Sequence, residues 1–363
     1  MLSDAALPSA VVPPMDALTA ADLDHVLATV PHRRIGLVGD LFLDRYLDID
    51  PARDEPSVET ALTAYQVAGV RNYPGALGTV LNNLVALGVG TVHPLTFVGD
   101  DGEGADLLRE LRRRPGVVTA DVIVSPDRMT PTYTKPMYGA RELHRLDIKN
   151  RTPTPDALQE DLLDRLNAAW GSFDAVVVLD QASEAECGAV TTRVRERIAE
   201  LAAATPAKFV LADSRERIGL FRNVCAKPNE DEVRKLDGKP PLPPEAWGLV
   251  EKVWSLARRL NRSVFQTLGA DGLVLTHPND CDLSAGWMIP GYPVAGPVDV
   301  CGAGDSCSAG IASAKACGLT DVQAAMLGNL IASVTVRQIG VTGTCTPAQL
   351  RARWAEVTSP SSS

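Results

Sequence analysis

Val298-Asp299-Val300-Cys301-Gly302-Ala303-Gly304-Asp305-Ser306 is the stretch on which the reading of this chain turns. Three small residues precede an aspartate, and the small, apolar run 308–317 follows. Glycine and alanine let a backbone come close to an anion, and the first N–H groups of a helix lack internal acceptors and carry the positive end of its dipole. The segment therefore reads as a glycine-rich turn that opens a helix and offers the Gly302, Ala303 and Gly304 amides to a phosphate. Asp305 would stand beside that anion, where it could orient or deprotonate an attacking hydroxyl. Taken by themselves, the same residues also suit a plain helix entry, with Asp305 favoured only by the dipole.

Outward from this turn, apolar runs bounded by turns alternate with helical patterns. Strands are predicted over 34–38, 91–98, 175–179, 208–212, 264–267 and 273–276, and helices over 79–87, 104–113, 155–170, 189–203, 244–260, 304–317 and 321–338. That alternation predicts an α/β fold with three α/β/α layers and a mostly parallel sheet covered on both faces. Two stretches break the rhythm, 46–73 and 122–148. They read as short strands outside the main sheet, a small β lid inserted twice, because structureless loops of that length are uncommon. A short helix over 20–29 belongs to an N-terminal extension, 1–33. The main domain is expected over 34–350, followed by a tail, 351–363, with a disordered end; the first residues, to about 18, are also expected to be flexible.

The net charge of −10 argues against nucleic acid or an anionic membrane as the main partner. No apolar run reaches the length of a membrane span, and the N-terminus, with Asp4 and with Pro8, Pro13 and Pro14 in place of an apolar core, does not read as a secretory signal. The seven cysteines form no Cys-x-x-Cys pair and the five histidines are dispersed, which gives no zinc pattern. An odd, scattered set suits reduced thiols in a cytoplasm.

Several charged residues stand where chemistry would need them. Asp44 lies just beyond the first strand, the end of a parallel strand where α/β proteins bind ligands, and could accept hydrogen bonds from two sugar hydroxyls. Lys135 and Arg145, in the second lid stretch, could hold a phosphate already present on a sugar; exposed strand charges would look the same. Lys227-Pro228-Asn229-Glu230-Asp231-Glu232, taken alone, reads as a helix start with an N-cap and an acidic first turn. Asp100 and Asp101 read as a solvated strand-to-helix connection.

Asp299-Val300-Cys301-Gly302-Ala303-Gly304-Asp305 resembles the Asp-Thr-x-Gly-Ala-Gly-Asp signature of the ribokinase-like, or PfkB, family of carbohydrate kinases, with Val300 in place of the threonine. The stretch 74–88, from Pro74-Gly75 to Leu87-Gly88, resembles that family's N-terminal signature, although Ala76 replaces a glycine and Thr79 an asparagine that contacts the sugar in relatives. Gly39-Asp40 through Asp44-Arg45-Tyr46, Thr134-Lys135 and Arg145-Leu146-Asp147 resemble heptose 7-phosphate kinases, the sugar-kinase half of ADP-heptose synthases. The resemblance covers about 34–350 and implies a ribokinase-like fold and an ATP- and magnesium-dependent kinase, with potassium dependence open. It implies Asp305 as catalytic base with Gly302, Ala303 and Gly304 as anion hole. It further implies Asp44, Gly75, Thr79, Lys135, Arg145 and Asp180 at the sugar, although Asp180 stands in a segment that has lost the family's lysine and glycine. Thr267, Gly269, Gly272 and Asn329 would meet the nucleotide, Asn229 and Glu232 the metal, and 340–344 the adenine or a monovalent-cation loop. A lid of this family covers the sugar and often mediates a homodimer. Because the sequence ends soon after the kinase-like segment, activation to a nucleotide sugar is expected to need another protein. A nucleoside or other small-alcohol kinase, and a non-catalytic sugar- or nucleotide-binding regulator, are the competing readings.

Overall fold

In the computed structural model, which describes residues 17–139, 141–236, 247–280 and 286–359, the buried apolar runs become strands of one sheet. In chain order the strands are β1 (Arg34–Gly39), β2 (Leu41–Ile49), β3 (Glu55–Pro56), β4 (Thr63–Ala64), β5 (Val67–Ala76), β6 (Thr91–Gly99), β7 (Val122–Ser125), β8 (Thr132–Tyr138), β9 (Arg141–Glu142), β10 (Leu146–Ile148), β11 (Ala175–Asp180), β12 (Phe209–Ser214), β13 (Cys225–Ala226), β14 (Val264–Thr267), β15 (Gly272–Thr276) and β16 (Trp287–Pro290). The helices are α1 (Ala20–Thr29), α2 (Leu77–Leu87), α3 (Gly102–Arg112), α4 (Asp156–Ala169), α5 (Thr192–Ala204), α6 (Glu230–Arg234), α7 (Trp247–Leu260), α8 (Ala303–Ala316), α9 (Asp321–Thr335) and α10 (Pro347–Thr358).

Nine strands form the main sheet in the order β16-β15-β14-β13-β12-β11-β1-β6-β7, parallel from β14 to β7 and antiparallel at β15 and β16. Successive residues of a strand face opposite ways, so each central strand feeds two cores. Ile35 and Leu37 of β1 and Val177 and Leu179 of β11 pack with α1, α2, α8 and α9, while Val38, Val176 and Val178 pack with α4, α5 and α7. These are the three layers expected from the alternation, and the C-terminal ends of the parallel strands gather on one edge, where ligands bind in such sheets.

The second sheet, β10-β8-β2-β5 with β9 on β8, stands beside that edge. It joins the main sheet through Asp40, between β1 and β2, whose buried carboxylate accepts the Gln181, Ala182 and Ala189 amides at 2.7 Å each. The lid bounds differ from the expected ones. Its first part begins at Leu41, and 122–125 belongs to the main sheet, because Val122-Ile123-Val124 pairs in parallel with β6 and buries two of its three side chains.

The end of the chain is also more ordered than a tail. Pro347 opens α10, Thr346 and Gln349 cap it reciprocally, and Leu350 and Arg353 are buried against α9. A buried arginine hid the amphipathic pattern; Arg353 is satisfied there by Ser333 Oγ at 2.9 Å and by the Pro293 carbonyl. Leu18, expected in a flexible start, is likewise buried. Residues 1–16, 237–246 and 360–363, and with them the 244–246 start of the helix expected over 244–260, lie outside the described residues.

Candidate active site

Two cavities open at the C-terminal edge of the sheet, on either side of the loop that precedes α8. The larger, about 710 Å³, is bordered by Val300, Gly302, Ala303, Gly304 and Asp305 and by the ends of β12, β13 and β14. The other, about 320 Å³, is bordered by Cys301 of the same loop together with Asp44, Lys135, Tyr46 and Tyr73 of the lid. Gly302 makes this thin partition possible. It has φ 77°, in the left-handed region, and a Cβ there would come within 3.2 Å of the Thr79 and Thr342 methyls.

The Ala303 N–H donates to the Val300 carbonyl at 3.1 Å, so the Gly302 and Gly304 amides are the ones left for an anion. Asp305 follows in the first turn of α8. It is half-buried and borders the larger cavity. Burial, reinforced by the charge of Asp213, lifts its carboxyl to about 7, against the opposing pull of Lys227 and Arg215. Lys227 is the buried countercharge: its Nζ lies 3.0 Å from Asp213 Oδ2, and a Cβ on Gly304 would meet it at 3.4 Å. Burial works against the Lys227 charge, but Asp213 outweighs it and holds the ammonium well above its usual range.

Glu232 and Asn229 cap α6 reciprocally: Glu232 Oε2 accepts the Asn229 N–H at 2.8 Å, and Asn229 Oδ1 accepts the Glu232 N–H at 2.9 Å. Asn229, expected at a metal, thus spends its oxygen on the helix, while Glu232 keeps Oε1 for the cavity. Burial and Asp213 push the Glu232 carboxyl up. Among the described residues no three His, Cys, Asp or Glu side chains form a metal cage. Glu232 and Asp305, both raised by burial and by the charge of Asp213, nonetheless fit a hydrated magnesium carried on phosphates, which needs only one or two protein oxygens. Thr267, Gly269, Gly272 and Asn329 border the same cavity. Asn329 gives its amide N–H groups to the Ile289 and Pro290 carbonyls, both at 3.2 Å.

On the other side of the loop, Asp44 lies 3.5 Å from Lys135 Nζ, which also donates to Tyr46 Oη at 3.1 Å. Burial raises the Asp44 carboxyl, and Lys135 offsets only part of that rise. Gly75 is required here, since a Cβ would stand 2.3 Å from Asp44 Oδ2. Thr342 and Thr344 border this pocket, while Gly340 is tied to Asp299 Oδ2 through its N–H at 2.9 Å.

Three expected sugar contacts are displaced. Thr79 is buried with its methyl toward Gly302, a packing place that suits threonine better than a larger amide. Asp180 is buried and gives both oxygens to Arg217, with Ser214 Oγ at 2.7 Å, so it braces the loop after β11. Arg145 is exposed, paired with Asp147 at 2.7 Å and stacked 4.7 Å from the Tyr133 ring. Asp100 and Asp101 behave as a connection, with Asp101 Oδ1 capping α3 through the Gly104 N–H at 2.7 Å.

Sequence reasoning gave no role to Asp213, Arg215 and Lys227, all of which border the larger cavity. A signal was present. Asp213 and Lys227 are charges that end the apolar runs 209–212 and 224–226, hence charges at the ligand-binding edge of a parallel sheet.

The sequence pattern described as pfkB family carbohydrate kinase matches residues 42–349. The chain is similar to the bifunctional protein HldE of Pelobacter propionicus, 30% identical over 323 residues, covering 86% of this chain and 62% of that protein. It is similar to HldE of Gluconobacter oxydans, 27% identical over 315 residues, covering 85% of this chain and 61% of that protein. Among solved structures it shares the fold of Arabidopsis thaliana ribokinase complexed with ribose and ATP, with TM-score 0.63 and 16% identity over 88% of this chain and 98% of that one. It also shares the fold of Methanocaldococcus jannaschii nucleoside kinase, with TM-score 0.58 and 16% identity over 89% of this chain and 98% of that one.

Proposed function

The chain belongs to the pfkB family of carbohydrate kinases, phosphotransferases with alcohol acceptors, and from that premise we propose that it moves the γ-phosphoryl group of ATP to a hydroxyl of a sugar phosphate, with a heptose 7-phosphate as first candidate. The observation that carries the reading is Asp305 at the head of α8, raised to about 7 and set at a loop with a cavity on each side. ATP fits the larger cavity and the acceptor the smaller. The heptose assignment draws on the lid motifs and on the similarity to HldE proteins, of which the chain spans 61–62%.

In this mechanism Asp305 takes the proton of the acceptor hydroxyl as its oxygen bonds to the γ-phosphorus. The bond from that phosphorus to the bridging oxygen breaks and ADP leaves. The Gly302 and Gly304 amides and Lys227 face the charge that spreads over the transferring oxygens, and Asp44 orients the sugar. Magnesium, held through Glu232 Oε1, would neutralise phosphate charge when bound. Thr267, Gly269, Gly272 and Asn329 would seat the nucleotide. The family's homodimer through the lid is part of the proposal, supported by the exposed Val58, Leu62, Val70 and Leu146 there, and sedimentation at micromolar concentration tests it.

The test is ADP formation with magnesium, with and without potassium, across free sugars, sugar phosphates and nucleosides, using Asp305→Asn as the blank. Turnover of a sugar phosphate that disappears in the blank is the expected result. Turnover of nucleosides alone would move the chain to a nucleoside kinase, and ATP binding without turnover of any acceptor would make it a regulator.

A further inference from the structure

The pocket that holds Asp44 and Lys135 is also bordered by Asn82 and by Arg114, a residue outside every motif read from the sequence. In the run Arg112-Arg113-Arg114-Pro115, Arg114 looks like one of several charges at a helix end. The fold separates it from the others. Its Nε donates to Asn82 Oδ1 at 2.6 Å and its Nη1 to the Glu110 carbonyl, which fixes the plane of the guanidinium and leaves Nη2 with no hydrogen-bond or ion-pair partner among the described residues. Glu110 divides its one charge between Arg113 at 2.8 Å and Arg114 at 3.5 Å, so this corner keeps a net positive charge. Lys135 brings a second cation, 4.8 Å over the Tyr46 ring, and its partner Asp44 is the group needed by the sugar hydroxyls. Tyr46 and Tyr73, edge to face at 5.8 Å, add ring surface to the same pocket.

We propose that Arg114 is a specificity-determining residue that, with Lys135, reads an anionic oxygen substituent on the acceptor. The inference rests on the kinase reading above and names the acceptor class within it. A guanidinium fixed at two nitrogens and open at a third is prepared for an oxyanion, which a phosphate ester or a sugar carboxylate would supply.

Matched acceptors test it: sedoheptulose with its 7-phosphate, and glucose with glucose 6-phosphate and gluconate, each given to the wild type, Arg114→Gln and Arg114→Lys. The readouts are kcat and KM for ADP formation and, without ATP, the rise in Tm that each compound causes. A charge-assisted hydrogen bond of about 1.5–3 kcal/mol corresponds to about 10- to 150-fold. Arg114→Gln should lower the ratio of kcat/KM for the anionic acceptor over its neutral partner by that factor, chiefly through KM, and Arg114→Lys should restore part of it. A structural role would move both members of a pair together and lower the Tm of the free enzyme. Preference for the phosphate arm or the gluconate arm identifies the source of the anion. Equal use of neutral and anionic members, or a preference that survives Arg114→Gln, overturns the proposal and leaves the kinase standing. Absence of turnover with these five compounds and with every acceptor of the wider panel, and of any Tm rise, while ATP still binds, overturns both.

Discussion

The two cavities meet at one loop, and their walls are built by different means. On the side proposed for the nucleotide, the Gly302 and Gly304 amides, the turn around Gly269 and Gly272 and the capped start of α6 bring backbone to the wall, with Arg215, Asp305 and the Lys227–Asp213 ion pair among its charges. On the side proposed for the acceptor the wall is largely side chains from separate places, among them Asp44, Tyr46 and Lys135 from the lid, Asn82 from α2, Arg114 after α3 and Thr342 and Thr344 near the end of the chain. A phosphate chain is the same in every reaction of this kind and can be met by fixed amides. The acceptor varies, and side chains on a lid can change without disturbing the sheet.

The largest expected effect lies at the partition itself. Asp305→Asn should lower turnover by about 10³-fold or more while ATP binding persists, the scale of a positioned base and its geometry. Single-turnover assay beside nucleotide titration checks it, and near-normal turnover would remove Asp305 from the chemistry. Lys227→Met comes next, because it leaves Asp213 buried beside two other carboxylates; a loss of about 3–5 kcal/mol in urea unfolding is expected. If Lys227→Met with Asp213→Asn is no more stable than Lys227→Met alone, the pair is not what holds this floor together.

A third effect is pH dependent. The Asp305 carboxyl, raised to about 7 in the folded state, binds its proton more tightly there than in the unfolded chain. Its contribution to stability is therefore complete below about pH 4 and is lost as the pH rises through 7. Because the cavity gives the group some solvent, the gain of Asp305→Asn over the wild type between pH 5 and pH 8 should be about 1–3 kcal/mol. Equal pH profiles for the two proteins would mean that burial does not raise this carboxyl.

On the acceptor side, Gly75→Ala forces a methyl to 2.3 Å from Asp44 Oδ2 and must displace that carboxylate. Acceptor KM should rise by about tenfold, about the effect of losing one good hydrogen bond, with little change in nucleotide affinity. A rise shared by both substrates would mean that the two sides of the loop are not separate.

The same difference decides what could be read beforehand. The layers, the helix starting near Gly302 and the cap at Asn229 and Glu232 follow from periodicity, glycine spacing and capping chemistry, all local to a few residues. Arg114 could not be placed in that way, since it looks like a helix-end charge, and for Lys227 the run it ends marks the edge of the sheet but not the partner. Their roles come from segments more than a dozen residues away, Asn82 for Arg114 and Asp213 for Lys227. Asp180 failed for the converse reason: a carboxylate at the right edge was matched by Arg217, whose approach from beyond β12 no local pattern reveals.

The smallest expected effect belongs to Ala76, where the sequence departs from the glycine of the signature it resembles. Ala76 has φ 51° and ψ −115°, the backbone of the first central residue in a type II′ turn, where a Cβ is disfavoured. It ends β5 opposite Leu41 and starts the chain into α2, one residue from the Gly75 that makes room for Asp44. Replacing it by glycine relieves about 1–2 kcal/mol of backbone strain and costs about 0.4–1 kcal/mol through the freer unfolded chain. Ala76→Gly should therefore stabilise the protein by roughly 1 kcal/mol or less in urea unfolding. A gain in stability with acceptor KM unchanged would make the alanine a tolerated strain, whereas a gain accompanied by higher KM would mean that the strained turn is what holds Gly75 against Asp44.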